Sequence, residues 1–165
     1  MSVGSPEDVS SLTFRNALSQ WATGVAVVAV RDALGVAATT VSSFTSLTLE
    51  PPLVLVALSD RARALPRIEA AGRYVISVLT SEQEDLADRC SRTEVRDADL
   101  DENGRIPGAL VSLSCTLHDT PRYGTHTLLV GRVHEVVSLD RPAAPLLYWN
   151  RRYRSLSDLP PEPAA

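Results

Sequence analysis

The chain has 165 residues, 44% of them hydrophobic but only 5% aromatic, with a formal net charge of −4. That length suits one domain with its own core, resting mainly on Val, Leu and Ala, and the acidic balance argues against a nucleic-acid or anionic-membrane partner. All 16 basic residues are Arg, which excludes a Schiff-base lysine and a Walker-type phosphate loop.

Residues 1–10 are small and polar and read as a tail, followed by a domain over residues 11–156 and a Pro-rich tail over 157–165. The start of the chain has no basic, apolar signal layout and no apolar run approaches membrane-spanning length, so a cytoplasmic protein is expected. Phe14, Ala17, Leu18 and Trp21 recur at helical spacing, with Gly24 as the stop. Val25–Val30 is a β-branched strand, and Asp32–Gly35 reads as a hairpin loop returning into Val36–Ser42. Leu53–Leu58 is almost wholly apolar, which predicts a strand buried on both faces.

Pro66 suits the first turn of a short helix over Arg67–Ala71, ended by Gly72. Tyr74–Leu79 is again strand. Ser81 with Glu84 predicts a capping box opening a helix to about Cys90. Arg92–Gly108 is polar and acidic and reads as an exposed loop. Val111, Leu113, Cys115 and Leu117 alternate with Ser112, Ser114, Thr116 and His118, the pattern of a half-exposed strand. His126–Leu139 is long and β-rich, and Leu146–Trp149 with Tyr153–Leu156 adds a hairpin. Six or seven strands against two or three short helices, without βαβ alternation, favour an antiparallel barrel. No G-x-G-x-x-G is present, so a nicotinamide cofactor would not be bound in the Rossmann manner.

Cys90 and Cys115 are far apart, and with His118, His126 and His134 they give no structural-zinc spacing, so they read as buried spectator thiols. The densest polar cluster is Thr39-Thr40-Val41-Ser42-Ser43. Hydroxyls and backbone N–H groups at a strand end can hold the polar edge of a planar ring or an anion, although such clusters are also common at turns.

Phe14-Arg15 with Trp21-Ala22-Thr23-Gly24-Val25 resembles the opening of the short flavin reductases, the FMN-binding split-barrel family that supplies reduced flavin to two-component monooxygenases. Thr40-Val41-Ser42-Ser43-Phe44 is similar to that family's T-[AV]-[SN]-S segment, Glu50-Pro51-Pro52-Leu53-Val54 to its D/E-P-P-L-V, and Gly72–Leu79 to its next strand. Gly124-Thr125-His126 stands where the family has G-D-H, and Pro145-Leu146-Leu147-Tyr148 leads into a family-like Arg152-Tyr153. The resemblance spans residues 14–156.

It implies a mainly β, antiparallel Greek-key split barrel with two or three short helices, and a homodimer with the flavin in a groove near the interface. It implies NAD(P)H-dependent reduction of FMN or FAD, NADH or NADPH being the hydride donor, and delivery of reduced flavin to a partner monooxygenase. Thr39, Thr40, Val41, Ser42 and Ser43 would touch the flavin, and His126 would lie beside the nicotinamide.

The segment after Leu58 would help hold the phosphate. Here it reads Ser59-Asp60-Arg61-Ala62-Arg63-Ala64, lacking family hydroxyls that Arg61 or Arg63 would replace. Arg89 is a further phosphate or helix-end residue, Trp149 replaces a common His and either stacks on a ring or closes the barrel, and Arg152 is counted with the cofactor contacts. Thr125 cannot supply the carboxylate of G-D-H. These departures leave a second possibility open: a repurposed barrel with fixed flavin, or a non-redox binder or cyclase of a small apolar metabolite. A non-catalytic flavin-binding module is a third.

Overall fold

The β-branched run following Gly24 folds as a strand, as its composition dictates, and sets the frame for the rest. In a computed structural model, which describes residues 9–156, the elements are α1 (Ser11–Leu18), β1 (Thr23–Gly24), β2 (Ala26–Asp32), β3 (Gly35–Val41), β4 (Thr45–Thr48), β5 (Leu53–Ser59), α2 (Ala64–Ala71) and β6 (Arg73–Val78). They continue with α3 (Glu84–Ser91), β7 (Val111–Asp119), β8 (Arg122–Tyr123), β9 (His126–Ser138), β10 (Leu147–Trp149) and β11 (Arg152–Arg154). The large sheet runs β3-β2-β6-β7-β9-β5-β4, with β8 on β9, and a small sheet runs β1-β10-β11. All pairings are antiparallel. This is the expected split barrel, with three α-helices.

Two apolar clusters sandwich β2. Its Ala26, Val28 and Val30 face the barrel interior with Val54, Val56, Leu58, Ile76 and Leu129, while Val25, just before it, and its Val27 and Ala29 face a second layer formed by Leu79, Ala87, Cys90, Leu100, Ile106 and Leu146. Burial on both faces therefore belongs to β2, whose first five residues are all buried. β5 instead alternates between buried and half-buried residues, because its second face lines a cleft. Each fully buried Val, Leu or Ile contributes roughly 1.5–3 kcal/mol. α2 crosses between β5 and β6 with Ala64, Leu65 and Ile68 buried, and ends in left-handed Gly72 (φ 63°).

Several local expectations change. α1 stops at Leu18, and Thr23–Gly24 pair with Tyr148 and Leu147 instead of extending the helix. The capping box sits one residue earlier: Thr80 N donates to Gln83 Oε1 (3.0 Å), and a 3-10 turn at Ser81–Gln83 precedes α3. The 92–108 segment is not a loose exposed loop. Arg31 anchors it through Asp97 (2.7 Å) and the carbonyls of Asp97, Leu100 and Asp101, and Leu100 and Ile106 are buried. That segment lies over the hydroxyl face of β6 and β7, so that face is the more buried one there. Ser112 and Ser114 are buried while Val111 and Leu113 are half-buried. Ser77 Oγ meets Ser112 Oγ at 3.0 Å and accepts from Ile106 N at 3.1 Å.

Gly131 permits the closest approach in the core. A Cβ there would lie 2.1 Å from the Tyr74 hydroxyl and 3.1 Å from Cys115 Cβ. Among the described residues, no helix is long and apolar enough to cross a membrane.

Candidate functional site

Beyond Leu55, β5 runs on without a β4 partner, since the β4–β5 register ends at Thr45–Leu55. The Ser43 side chain takes over that edge. Its Oγ donates to Ala57 O (3.0 Å) and accepts from Ala57 N (3.1 Å). A serine thus stands in for a strand and pins the corner after β3 against the end of β5. Thr40 is likewise engaged, donating to Ala87 O of α3 at 2.6 Å. Ser42, between them, is exposed, and its hydroxyl makes no hydrogen bond among the described residues.

A cleft of about 500 Å³ opens where these segments meet. Thr39 through Ser43 form one wall, and Ala57, Leu58, Ser59 and Arg61 the facing one. Ser91, the last residue of α3, Thr93 just past it, and His126, the first residue of β9, complete it. The Ser59–Ala62 turn is shaped by Ala62 N donating to Ser59 O (2.8 Å) and Arg61 N to Ser59 Oγ (3.3 Å). The Arg61 guanidinium has no ion pair among the described residues.

His126 is exposed, and its Nδ1 lies 3.1 Å from Thr125 Oγ1. Thr125, which stands at the Asp position of G-D-H, thus hydrogen-bonds the imidazole through its hydroxyl. Gly124 (φ 59°) opens the two-residue turn between Tyr123 and His126, a position where positive φ favours Gly. Beneath the turn, Asp60 N donates to Thr125 O (3.0 Å), and the buried Thr127 hydroxyl donates to Asp60 Oδ1 (3.1 Å). Arg122 Nε donates to Thr127 Oγ1 (3.2 Å). This polar knot ties the His126 edge to the Arg61 turn.

Two further clefts join the first at Ser42. One, of about 360 Å³, is lined by Thr40, Val41, Ser91, Arg151, Arg152 and Tyr153, among others. The other, of about 500 Å³, lies between Trp21 and Trp149, with Arg15, Tyr148 and Arg151. The expected residues divide accordingly. Thr39–Ser43, Ser59, Arg61 and His126 share one cleft, Arg152 lies in the second and Trp149 in the third.

Arg63 and Arg89 are not brought in. Arg63 is the exposed N-cap residue of α2. Arg89 is held by Asp99 at 2.7 Å. Residues that sequence reasoning missed are Ser91, Thr93, Arg151 and the Asp60–Thr127–Arg122 knot. None carries a motif, and only the fold brings them to the groove.

Burial pushes the Cys90 thiol up to about 11 and the Cys115 thiol up to about 12, so neither supplies a nucleophile. No group of His, Cys, Asp and Glu among the described residues could hold a metal ion.

The family model for the flavin reductase like domain matches residues 18–157. The reductase component of 4-hydroxyphenylacetate 3-monooxygenase from Thermus thermophilus is 41% identical, covering 87% of this chain and 95% of that protein. An NADH-dependent flavin reductase from Rhodococcus sp is 36% identical, covering 90% and 88%. The solved flavin reductase PheA2 in its native state matches with a TM-score of 0.82 at 28% identity, over 90% of this chain and 99% of that one.

Proposed function

The chain belongs to the flavin reductase like family, and from that membership we infer that it is an NAD(P)H:flavin oxidoreductase that reduces FMN or FAD and passes the reduced flavin to a partner monooxygenase. The observation that carries this reading is the cleft that gathers Thr39–Ser43, Ser59, Arg61 and His126 from three separate parts of the chain. Its volume of about 500 Å³ suits a small planar ligand. Ser42 offers an uncommitted hydroxyl and exposed backbone for the polar ring edge, and Arg61 an unpaired guanidinium for a phosphate. The residues fit the group.

When bound, flavin and nicotinamide supply the hydride chemistry between them. The chain's own work is positional. Thr39–Ser43 set the plane of one wall, Arg61 and Ser59 hold the anionic tail, and His126 orients the donor from the cleft edge. No acid–base pair is required for this.

The features that motivated a repurposed barrel have structural accounts. Ala64 is wholly buried in the core, so it is not a phosphate ligand lost from a surface. Thr125 keeps a hydrogen bond on His126. Trp149 lies in a neighbouring cleft and leaves the first one open.

The exposed face of α1 supports a homodimer. No residue of this eight-residue helix is buried, and Leu12, Phe14 and Leu18 are exposed, as is Trp21 beyond it at 72%. A helix this short is marginal without tertiary packing, and a second copy covering the apolar stripe supplies it. A cytoplasmic location accords with the two free cysteines, Cys90 and Cys115. The function is tested by adding FMN or FAD to purified protein with NADH or NADPH. Nicotinamide is consumed only when flavin is present, and consumption no faster than in buffer would sink the reading.

A further inference from the structure

Three described residues other than glycine have positive φ: Thr93 (61°), Asn150 (48°) and Arg151 (60°). Asn tolerates that region, whereas a β-branched residue there is an outlier. The two that are not Asn both line the groove, Thr93 the first cleft and Arg151 the other two.

Thr93 can be placed closely. α3 ends in a Schellman motif, with Thr93 N donating to Cys90 O (3.3 Å) and Glu94 N to Arg89 O (2.9 Å). Thr93 occupies its left-handed position, where Gly is the unstrained choice. The same chain uses Gly at the left-handed end of α2, where Gly72 lines none of the groove. A strained residue persists where the surroundings or a function require its side chain. Thr93 is half-buried and shares its cleft with Arg61, the free guanidinium assigned to the flavin phosphate. Its hydroxyl now donates to Arg92 O at 2.6 Å and can turn into the cleft, since a hydroxyl both donates and accepts.

We propose that Thr93 is a flavin-specificity residue, whose hydroxyl contacts the phosphate-bearing tail in the cleft that Arg61 also lines and is kept there against the backbone's preference for glycine. The proposal rests on flavin occupying this cleft. It predicts that binding and stability move in opposite directions, which a purely structural role would not produce.

The test compares Thr93→Gly and Thr93→Ala with the unaltered protein by FMN and riboflavin titration and by thermal melting without flavin. Thr93→Gly raises Tm by about 2–4 °C by relieving the left-handed strain, while its FMN Kd rises about tenfold with the loss of one hydrogen bond to a charged group. Thr93→Ala keeps the strain, leaves Tm within about 1 °C and loses FMN affinity to the same extent. Riboflavin affinity stays within about twofold in both. FMN affinity unchanged in Thr93→Gly, an equal loss for riboflavin, or no rise in Tm would each overturn the proposal. Absence of FMN binding by the unaltered protein would instead overturn the flavin reading beneath it.

Discussion

Ser43→Ala removes the hydroxyl that holds the barrel seam. In the native chain that oxygen satisfies both the N–H and the C=O of Ala57, at 3.1 and 3.0 Å, where β5 has outrun β4. A typical protein hydrogen bond is worth roughly 1 kcal/mol net, so the pair contributes about 2 kcal/mol. Ala57 is only half-buried, so water can partly rescue its peptide groups and the cost should not reach the full desolvation penalty. For a chain of this size, about 2 kcal/mol corresponds to a fall in Tm of about 4–8 °C. Flavin affinity should fall with it, because Ser43 and Ala57 belong to facing walls of one cleft. The assay is a urea or thermal melt of Ser43→Ala beside Ser42→Ala, each followed by flavin titration. Ser42 is exposed and its hydroxyl is unbonded among the described residues, so its replacement should change stability by less than about 0.5 kcal/mol. Equal stability of the two variants would refute the idea that one side chain substitutes for a strand.

His126→Ala should raise the KM for the nicotinamide more than that for flavin, as steady-state titration of each substrate will show; equal KM values in variant and parent would make the histidine structural. Arg61→Ala should weaken FMN about tenfold while sparing riboflavin, whereas Arg63→Ala, outside the cleft, should leave both unchanged. Gly131→Ala would drive a Cβ into the Tyr74 hydroxyl and should cost about 3 kcal/mol in a chemical melt; adding Tyr74→Phe should recover part of that loss. With thiols raised to about 11 and 12, a thiol reagent at pH 8 should react with neither cysteine until denaturant is added. Because the folded-state values exceed those of the unfolded chain, near 8.5, this contribution to stability is intact below that pH and declines as pH rises toward 11.

Much of the fold was legible because its signals are local. The hairpin at Asp32–Gly35, the helix ended by Gly72 and the β-rich stretch from His126 rest on turn chemistry and β-branching, which act within a few residues. The errors arose where distant segments decide the outcome. β2 and β5 read almost alike as apolar runs, and only the arrival of α3 and the 92–108 segment gives β2 its second buried face. The same segment covers the hydroxyl face of β7, against its alternation: Ile106 N donates to Ser77 Oγ, which in turn meets Ser112 Oγ, while Ser114 Oγ donates to Glu135 of β9. The cleft was legible at Thr39–Ser43, Ser59, Arg61 and His126 through resemblance to a family. Arg63 could not be separated from Arg61 by sequence, since two residues decide whether an arginine lines the cleft or stands at the exposed start of a helix. Thr93 gave no signal, because a left-handed φ leaves no mark in composition or spacing.

Three clefts meeting at Ser42 make one small side chain the crossroads of the groove. A molecule lying in any one of these clefts would border the other two at that residue. An exchange between two partners needs just such a meeting place. A serine, carrying little bulk, keeps the crossing passable from every side.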